Sequence, residues 1–200
     1  LLVTEALQGT ALDAAIRRDD PLPTADALLH QLDMLPRLEG PVVEHRRSLR
    51  DQVKLLRALV PRRRSDIDRL YEVLTGATPR GDVGTVHGDF HAGQVITTKG
   101  RIVGLVDVDR AGLGRRADDL AMFLAHLHVL ALDGAADGLA ATYLQHLYGS
   151  WSATVPDVDL RTGIARSLFG FAPGGFTAQS PDWQRVAEHR LEAAIGWLDI

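Results

Sequence analysis

The sequence predicts a mostly helical α+β domain with a small β-hairpin insert, and three observations lead there. Apolar residues recur at helical spacing over most of the 200 residues. Between Gly84 and Val108 that period gives way to short β-branched runs. The densest cluster of His and Asp falls inside this insert, and loops held by a rigid body are where chemistry tends to be placed. The length suits one full-sized domain, read as 1–200.

Taken in order, Leu1-Leu2-Val3-Thr4 reads as the end of a buried strand. A short helix is predicted from Leu12 to Arg17, broken by Asp20-Pro21-Leu22-Pro23. Thr24 is a good N-cap for a helix through Leu35, where Leu28, Leu29, Leu32 and Leu35 share a face. Gly40-Pro41 interrupts. A longer helix then runs to about Val60, with Leu49, Val53, Leu56 and Val60 on one side. Ser65 is read as the cap of a helix from Asp66 to Leu74. The strand runs are Thr85-Val86, Val95 to Thr97 and Ile102 to Val106, the last two joined by a Lys99-Gly100 turn. Helices are predicted over 118–131, 136–151, 159–170 and 182–198, with Ala172-Pro173-Gly174-Gly175 as a loop before the last.

Composition narrows the function classes. A net charge of −4 gives no reason to expect a nucleic-acid partner, and Arg62-Arg63-Arg64 reads as a solvated helix end. The chain has no cysteine, which excludes disulfides and thiolate chemistry and fits a cytoplasmic location. Its longest apolar stretch, Leu120 to Leu132, is broken by His126 and His128 and is too short for a bilayer, so no membrane partner is expected.

The insert carries His87-Gly88-Asp89-Phe90-His91-Ala92-Gly93-Gln94, then Val106-Asp107, then Asp118-Asp119-Leu120-Ala121. Asp89 follows a buried strand beside a glycine, on a turn where its oxygens can face a cleft. Gln94 and Asp107 offer hard oxygens of the kind magnesium takes, one or two from protein with the rest from water and phosphates. Phosphoryl transfer needs these parts, positioning and charge neutralisation, and little covalent chemistry from the protein. Each residue alone has an ordinary explanation. Asp89 could make an Asx-turn, Asp118 could cap the following helix, and His126 and His128 could be structural histidines in an apolar helix.

In this order and at these spacings, the residues resemble the signature of the aminoglycoside phosphotransferase and choline kinase family, whose members have a protein-kinase-like fold. The resemblance implies that Asp89 is the catalytic aspartate, that Gln94 and Asp107 are ligands of Mg2+, and that Asp119 braces the catalytic loop by hydrogen bonds. It also implies that ATP is the phosphate donor and a small hydroxylated molecule the acceptor. Leu1 to Ala6 with Gly9 and Leu12 resemble the family's hinge and the helix after it, which would place the Thr4 carbonyl and the Ala6 amide at the adenine edge. The chain is then a kinase-like C-lobe, with the hinge at 1–6, the catalytic loop and metal-binding hairpin at 84–109, and a helical subdomain at 118–198. The glycine-rich loop and lysine of an N-lobe would lie upstream of Leu1, so the 200 residues alone are expected to show little activity.

One departure is Gln94, where the family usually has Asn; Gln here is similar to maltokinase-like sugar kinases and favours sugar-type acceptors. The excess of Asp and Glu, by contrast, suits a cationic acceptor such as an aminoglycoside or choline. Phe171 to Phe176 is the candidate acceptor wall. Two other readings compete. His87, Asp89 and His91 could bind zinc in a metallohydrolase if their segment were a strand, and a lobe without its partner could be a non-catalytic binding module.

Overall fold

The computed structural model describes residues 7–42, 49–134 and 138–199. Thr4 and Ala6, and the strand expected at Leu1 to Thr4, lie outside the described residues.

The chain begins with β1 (Thr10–Ala11), α1 (Leu12–Arg17) and α2 (Ala25–Asp33). Thr24 caps α2 as expected, its hydroxyl accepting from the Ala27 amide at 3.2 Å. After Asp33 the helix gives way, two residues before Leu35. Next come α3 (Leu49–Leu59) and α4 (Arg64–Gly76). Ser65 is not the cap of α4. A 3-10 turn that begins at Pro61 runs directly into the helix, so Ser65 already lies in its first turn. Arg63 instead pairs with Asp66 at 2.6 Å and with Glu192 at 2.8 Å.

The insert comprises β2 (Val83–Val86), β3 (Val95–Thr98), β4 (Arg101–Leu105) and β5 (Gly112–Arg115). β3 and β4 form the predicted hairpin. Lys99 (φ 52°) and Gly100 (φ 76°) both take left-handed conformations between the paired Thr98 and Arg101, the pattern of a two-residue type I′ turn. Two strands escaped the sequence reading, β1, which adds to the free edge of β3, and β5, which pairs antiparallel with β2. β1 is too short for any period to show. β5, Gly-Leu-Gly-Arg, lacks the β-branched residues that mark a strand.

The helical body contains α5 (Arg116–Leu132), α6 (Leu139–Trp151), α7 (Asp157–Phe171), α8 (Gly174–Thr177) and α9 (Trp183–Leu198). α5 is its axis, apolar around most of its circumference, with Phe123, Leu124 and Leu127 fully buried between α6 and α7. Trp151 from α6 meets Phe123 edge-on at 5.5 Å, and Phe123 meets Phe90 of the insert at 4.9 Å. This aromatic line fastens the insert to the body, each fully buried ring contributing roughly 1.5–3 kcal/mol. The predicted loop at 172–175 is partly the helical turn α8, which Gly175 enters by packing against Trp183. Among the described residues no helix is long and apolar enough to cross a membrane.

Candidate active site

The catalytic-loop candidate starts where β2 ends. β2 is held in register by β5, with Val86 opposite Gly112, and delivers His87, fully buried, to the foot of α5. There the Asp119 carboxylate accepts from the His87 amide at 2.7 Å and from the Gly88 amide at 2.9 Å. Both amides have left the ladder, so without Asp119 the buried His87 amide and the part-buried Gly88 amide would lack this acceptor. Burial raises the Asp119 carboxyl above its ordinary pKa, and the two amides, His87 and Arg116 pull in the opposite direction. Asp118, read from sequence as a helix cap, lies inside the helix: α5 starts at Arg116, one turn before the expected place.

Gly88 adopts φ +82°, and a Cβ there would lie 2.4 Å from the Arg110 carbonyl oxygen, so only glycine fits this turn. The turn leaves Asp89 partly exposed, with Arg110 Nη1 3.6 Å from its Oδ2. Phe90 then plunges into the core. His91 begins a 3-10 turn over Ala92–Gln94, its Nδ1 accepting from the Gly93 amide at 3.1 Å. Its ring stacks on His126 of α5 at 4.3 Å. Burial pulls the pKa of His91 down, opposed by Asp89, Asp13 and Asp107.

Three contacts tie this loop to the segment after β4. The His87 ring Nε2 lies 3.0 Å from the Val106 carbonyl oxygen. The Val106 amide donates to the Gln94 carbonyl at 3.0 Å. The Gln94 side-chain amide donates to Asp107 Oδ2 at 2.8 Å. Asp107 itself takes the left-handed conformation (φ 58°, ψ 46°), which turns its carboxylate toward Gln94 as the chain enters the 3-10 turn Val108–Arg110. Two residues chosen from sequence as metal ligands thus meet side by side. In the arrangement seen, Gln94 presents its NH2 to Asp107; a half-turn of the amide would present its oxygen beside the carboxylate. A carboxylate and an amide oxygen are hard donors suited to magnesium whose other ligands are phosphates and water.

The zinc reading finds no support in these side chains. His87 and His91 each spend a ring nitrogen on the backbone, and among the described residues no three His, Asp or Glu converge as a metal cluster.

Beside Asp89 opens a cleft of about 310 Å³. Its floor is Gly88, Asp89, His91 and Arg110; its wall is Leu49 and Gln52 from α3, Met122 and His126 from α5, and Arg166, Ser167, Gly170 and Phe171 from α7. Of the acceptor wall expected at Phe171 to Phe176, Phe171 lines the cleft, whereas Phe176 packs against Trp183 at 5.3 Å away from it. His126 was read as structural and faces the cleft instead, its pKa pushed down to about 3 by burial, with His91 and Arg190 adding to the effect. His128 does serve structure, its Nδ1 accepting from the Trp197 indole at 3.0 Å. Gln52, Arg110, Arg166 and Ser167 carried no sequence signal, because nothing in a local pattern says which helix face will meet a distant loop.

The model of the phosphotransferase enzyme family (APH) matches residues 3–154. No curated protein matches the chain. Among solved structures, a choline/ethanolamine kinase family protein from Mesorhizobium loti is similar over 98% of this chain and 70% of its own, with a TM-score of 0.59 and 13% identity. Choline kinase from Cryptosporidium parvum is similar over the same shares, with a TM-score of 0.54 and 12% identity. At these identities the likeness is one of fold, and that fold is the partial kinase-like one expected from the sequence. With the family match running from the amino-terminal segment through α6, the chain belongs to the phosphotransferase enzyme family.

Proposed function

We propose that the protein moves the γ-phosphate of ATP to a hydroxyl of a small molecule, with Asp89 as the catalytic residue. The observation that carries this reading is the placement of Asp89: on the floor of a cleft of about 310 Å³, on the same loop as Gln94, which meets Asp107 at 2.8 Å. The Asp89 carboxylate accepts the hydroxyl proton as the acceptor oxygen bonds to phosphorus and the β-phosphate oxygen departs. Gln94 and Asp107 would hold magnesium, which when bound supplies charge neutralisation for the phosphates. Thr4 and Ala6, outside the described residues, are proposed to hold the adenine edge. Asp119 keeps Asp89 in place through the backbone of His87 and Gly88.

The test is phosphate transfer from ATP by the full-length gene product across a panel of hydroxylated acceptors, with and without magnesium. Transfer that requires magnesium and collapses in Asp89→Asn supports the reading. Normal turnover in that variant would overturn the role of Asp89.

A further inference from the structure

The composition and the cleft point to different acceptors. Acidic residues outnumber basic ones, 26 to 22, yet among the described residues Asp89 is the one carboxylate that lines the cleft. It already has Arg110 at 3.6 Å, and the proposed chemistry commits it to the reacting hydroxyl. Among the described residues a polycation would therefore find no second carboxylate to replace the water it gives up, and a buried or half-buried charge without a partner is costly.

Apart from Arg166, which donates to the Leu74 carbonyl, the polar groups of the wall are neutral and can both donate and accept. Gln52 contributes an amide, Ser167 a hydroxyl, and His126 an imidazole, all half-buried and all facing the cleft. The His126 ring is clamped between His91 at 4.3 Å and Phe171 at 4.6 Å. It makes no hydrogen bond to another described residue, and its nitrogens are not sealed off, since among the described residues the sole buried side-chain atom without a partner is His87 Nδ1. A ring held by stacking on His91 and by an edge contact with Phe171, on the lining of the cleft, is preorganised to bond a ligand. Burial beside Arg190 keeps it neutral, so one nitrogen donates and the other accepts. That matches a hydroxyl group, which does both.

We propose that the acceptor is a neutral polyhydroxylated compound, and that His126, with Gln52 and Ser167 beside it, is the residue that positions it for Asp89. This rests on the phosphotransferase reading of the cleft and names its substrate class. Neutral hydroxyls satisfy the amide, hydroxyl and imidazole together, whereas a protonated amine can only donate and a quaternary ammonium can neither donate nor accept, so beside either charged group the Gln52 NH2 and the imidazole N–H find no acceptor.

The test is binding without nucleotide, so that it is read apart from phosphate transfer. Glucose, maltose and inositol serve as neutral probes, kanamycin and choline as cationic ones, followed by calorimetry and by the proton signals of the His126 ring. At least one neutral probe is expected to bind and shift those signals, with both cations weaker by about tenfold or more. His126→Phe keeps the stacking and removes the nitrogens; it should weaken the neutral probe by about tenfold while the circular dichroism spectrum stays the same. Gln52→Glu should bring kanamycin into the cleft, because it supplies the missing carboxylate. The proposal is overturned if kanamycin or choline binds the wild type as tightly as every neutral probe, if no neutral probe binds, or if His126→Phe leaves affinity unchanged. Phosphorylation of kanamycin would sink this substrate class and leave the phosphotransferase reading standing. Binding of a neutral probe at His126 with no transfer to it or to any other acceptor would do the opposite.

Discussion

The floor of the cleft comes from one stretch of chain, His87 to Arg110, whereas the wall is assembled from α3, α5 and α7. The floor is stitched at every step: Asp119 on two backbone amides, the His87 ring on the Val106 carbonyl, and Gln94 on Asp107. The wall side chains make fewer such bonds, and Gln52 and His126 have none to another described residue. On the proposed reading, the difference separates two tasks. Groups that act on phosphorus must be held in place before the substrate arrives. Groups that recognise the acceptor must keep their hydrogen bonds open for it.

The largest effect should come from the floor. Asp89→Asn removes the proton acceptor and keeps the side chain's size, so turnover should fall by about 10²–10⁴-fold with the melting temperature unchanged. If melting falls as far as turnover, Asp89 is a structural residue and the comparison fails. Asp119→Ala tests the stitching. It strands the buried His87 amide, at about 1–3 kcal/mol, and the part-buried Gly88 amide at less, so melting temperature and activity should drop together. Asp119→Asn, which retains one acceptor oxygen, should lose less. An Asp119→Ala protein that melts normally and has lost only nucleotide affinity would instead place Asp119 at the ligand.

The same division explains what could be read in the sequence. The contacts of Asp119 with the loop before Asp89, and the nearness of Gln94 to Asp107, were legible because the floor is built from short, ordered segments of fixed spacing. The hairpin at Lys99-Gly100 and the Thr24 cap were legible because turns and caps select particular residues. The expected caps at Ser65 and Asp118 failed for a related reason. Each residue is a good cap in isolation, but the preceding segment had already entered the helix, by a 3-10 turn at Pro61 in one case and directly from β5 in the other. The wall was illegible. His126 sits in an apolar helix and looked structural, and only the stacking against His91 and Phe171 sets it apart from His128, whose bond to Trp197 is ordinary packing. Overall charge says little about the cleft, because among the described residues Asp89 is the one carboxylate that lines it.

A pH titration of stability, read as the difference between wild type and a His126 variant, probes the wall. The folded pKa of His126, about 3, is below the unfolded value near 6.5, so the unfolded chain binds a proton that the folded chain refuses. The stabilising difference is present above pH 6.5 and is lost as pH falls toward 3. Between pH 7 and pH 5 His126 should account for about 2 kcal/mol of lost stability. His91 and His128, also pushed down by burial, add slope of the same sign. The informative quantity is therefore the difference between wild type and His126→Phe in denaturant melts at the two pH values. Parallel slopes would mean that the His126 ring reaches water freely, and the wall would lose its preorganised group.

The smallest and most selective effect concerns Gln94, because it sits at the edge of the stitched floor. Its amide now donates to Asp107 at 2.8 Å. If that pairing is the metal-free form of a magnesium site, Gln94→Asn keeps the ligand type and shortens its reach, so activity should fall only a few-fold while the magnesium requirement rises, on the order of severalfold. Gln94→Leu removes the oxygen at similar volume and should lose far more, about tenfold or greater. If Gln94 serves only to hold Asp107 in its left-handed turn, the two variants change places in a different assay. Leu then lowers the melting temperature by freeing Asp107, and the magnesium dependence of whatever activity remains stays that of the wild type. Initial rates against magnesium concentration, taken with melting temperatures for the same three proteins, separate the two roles. Equal magnesium dependence in all three removes Gln94 from the metal site and leaves Asp107 as the floor's remaining candidate ligand.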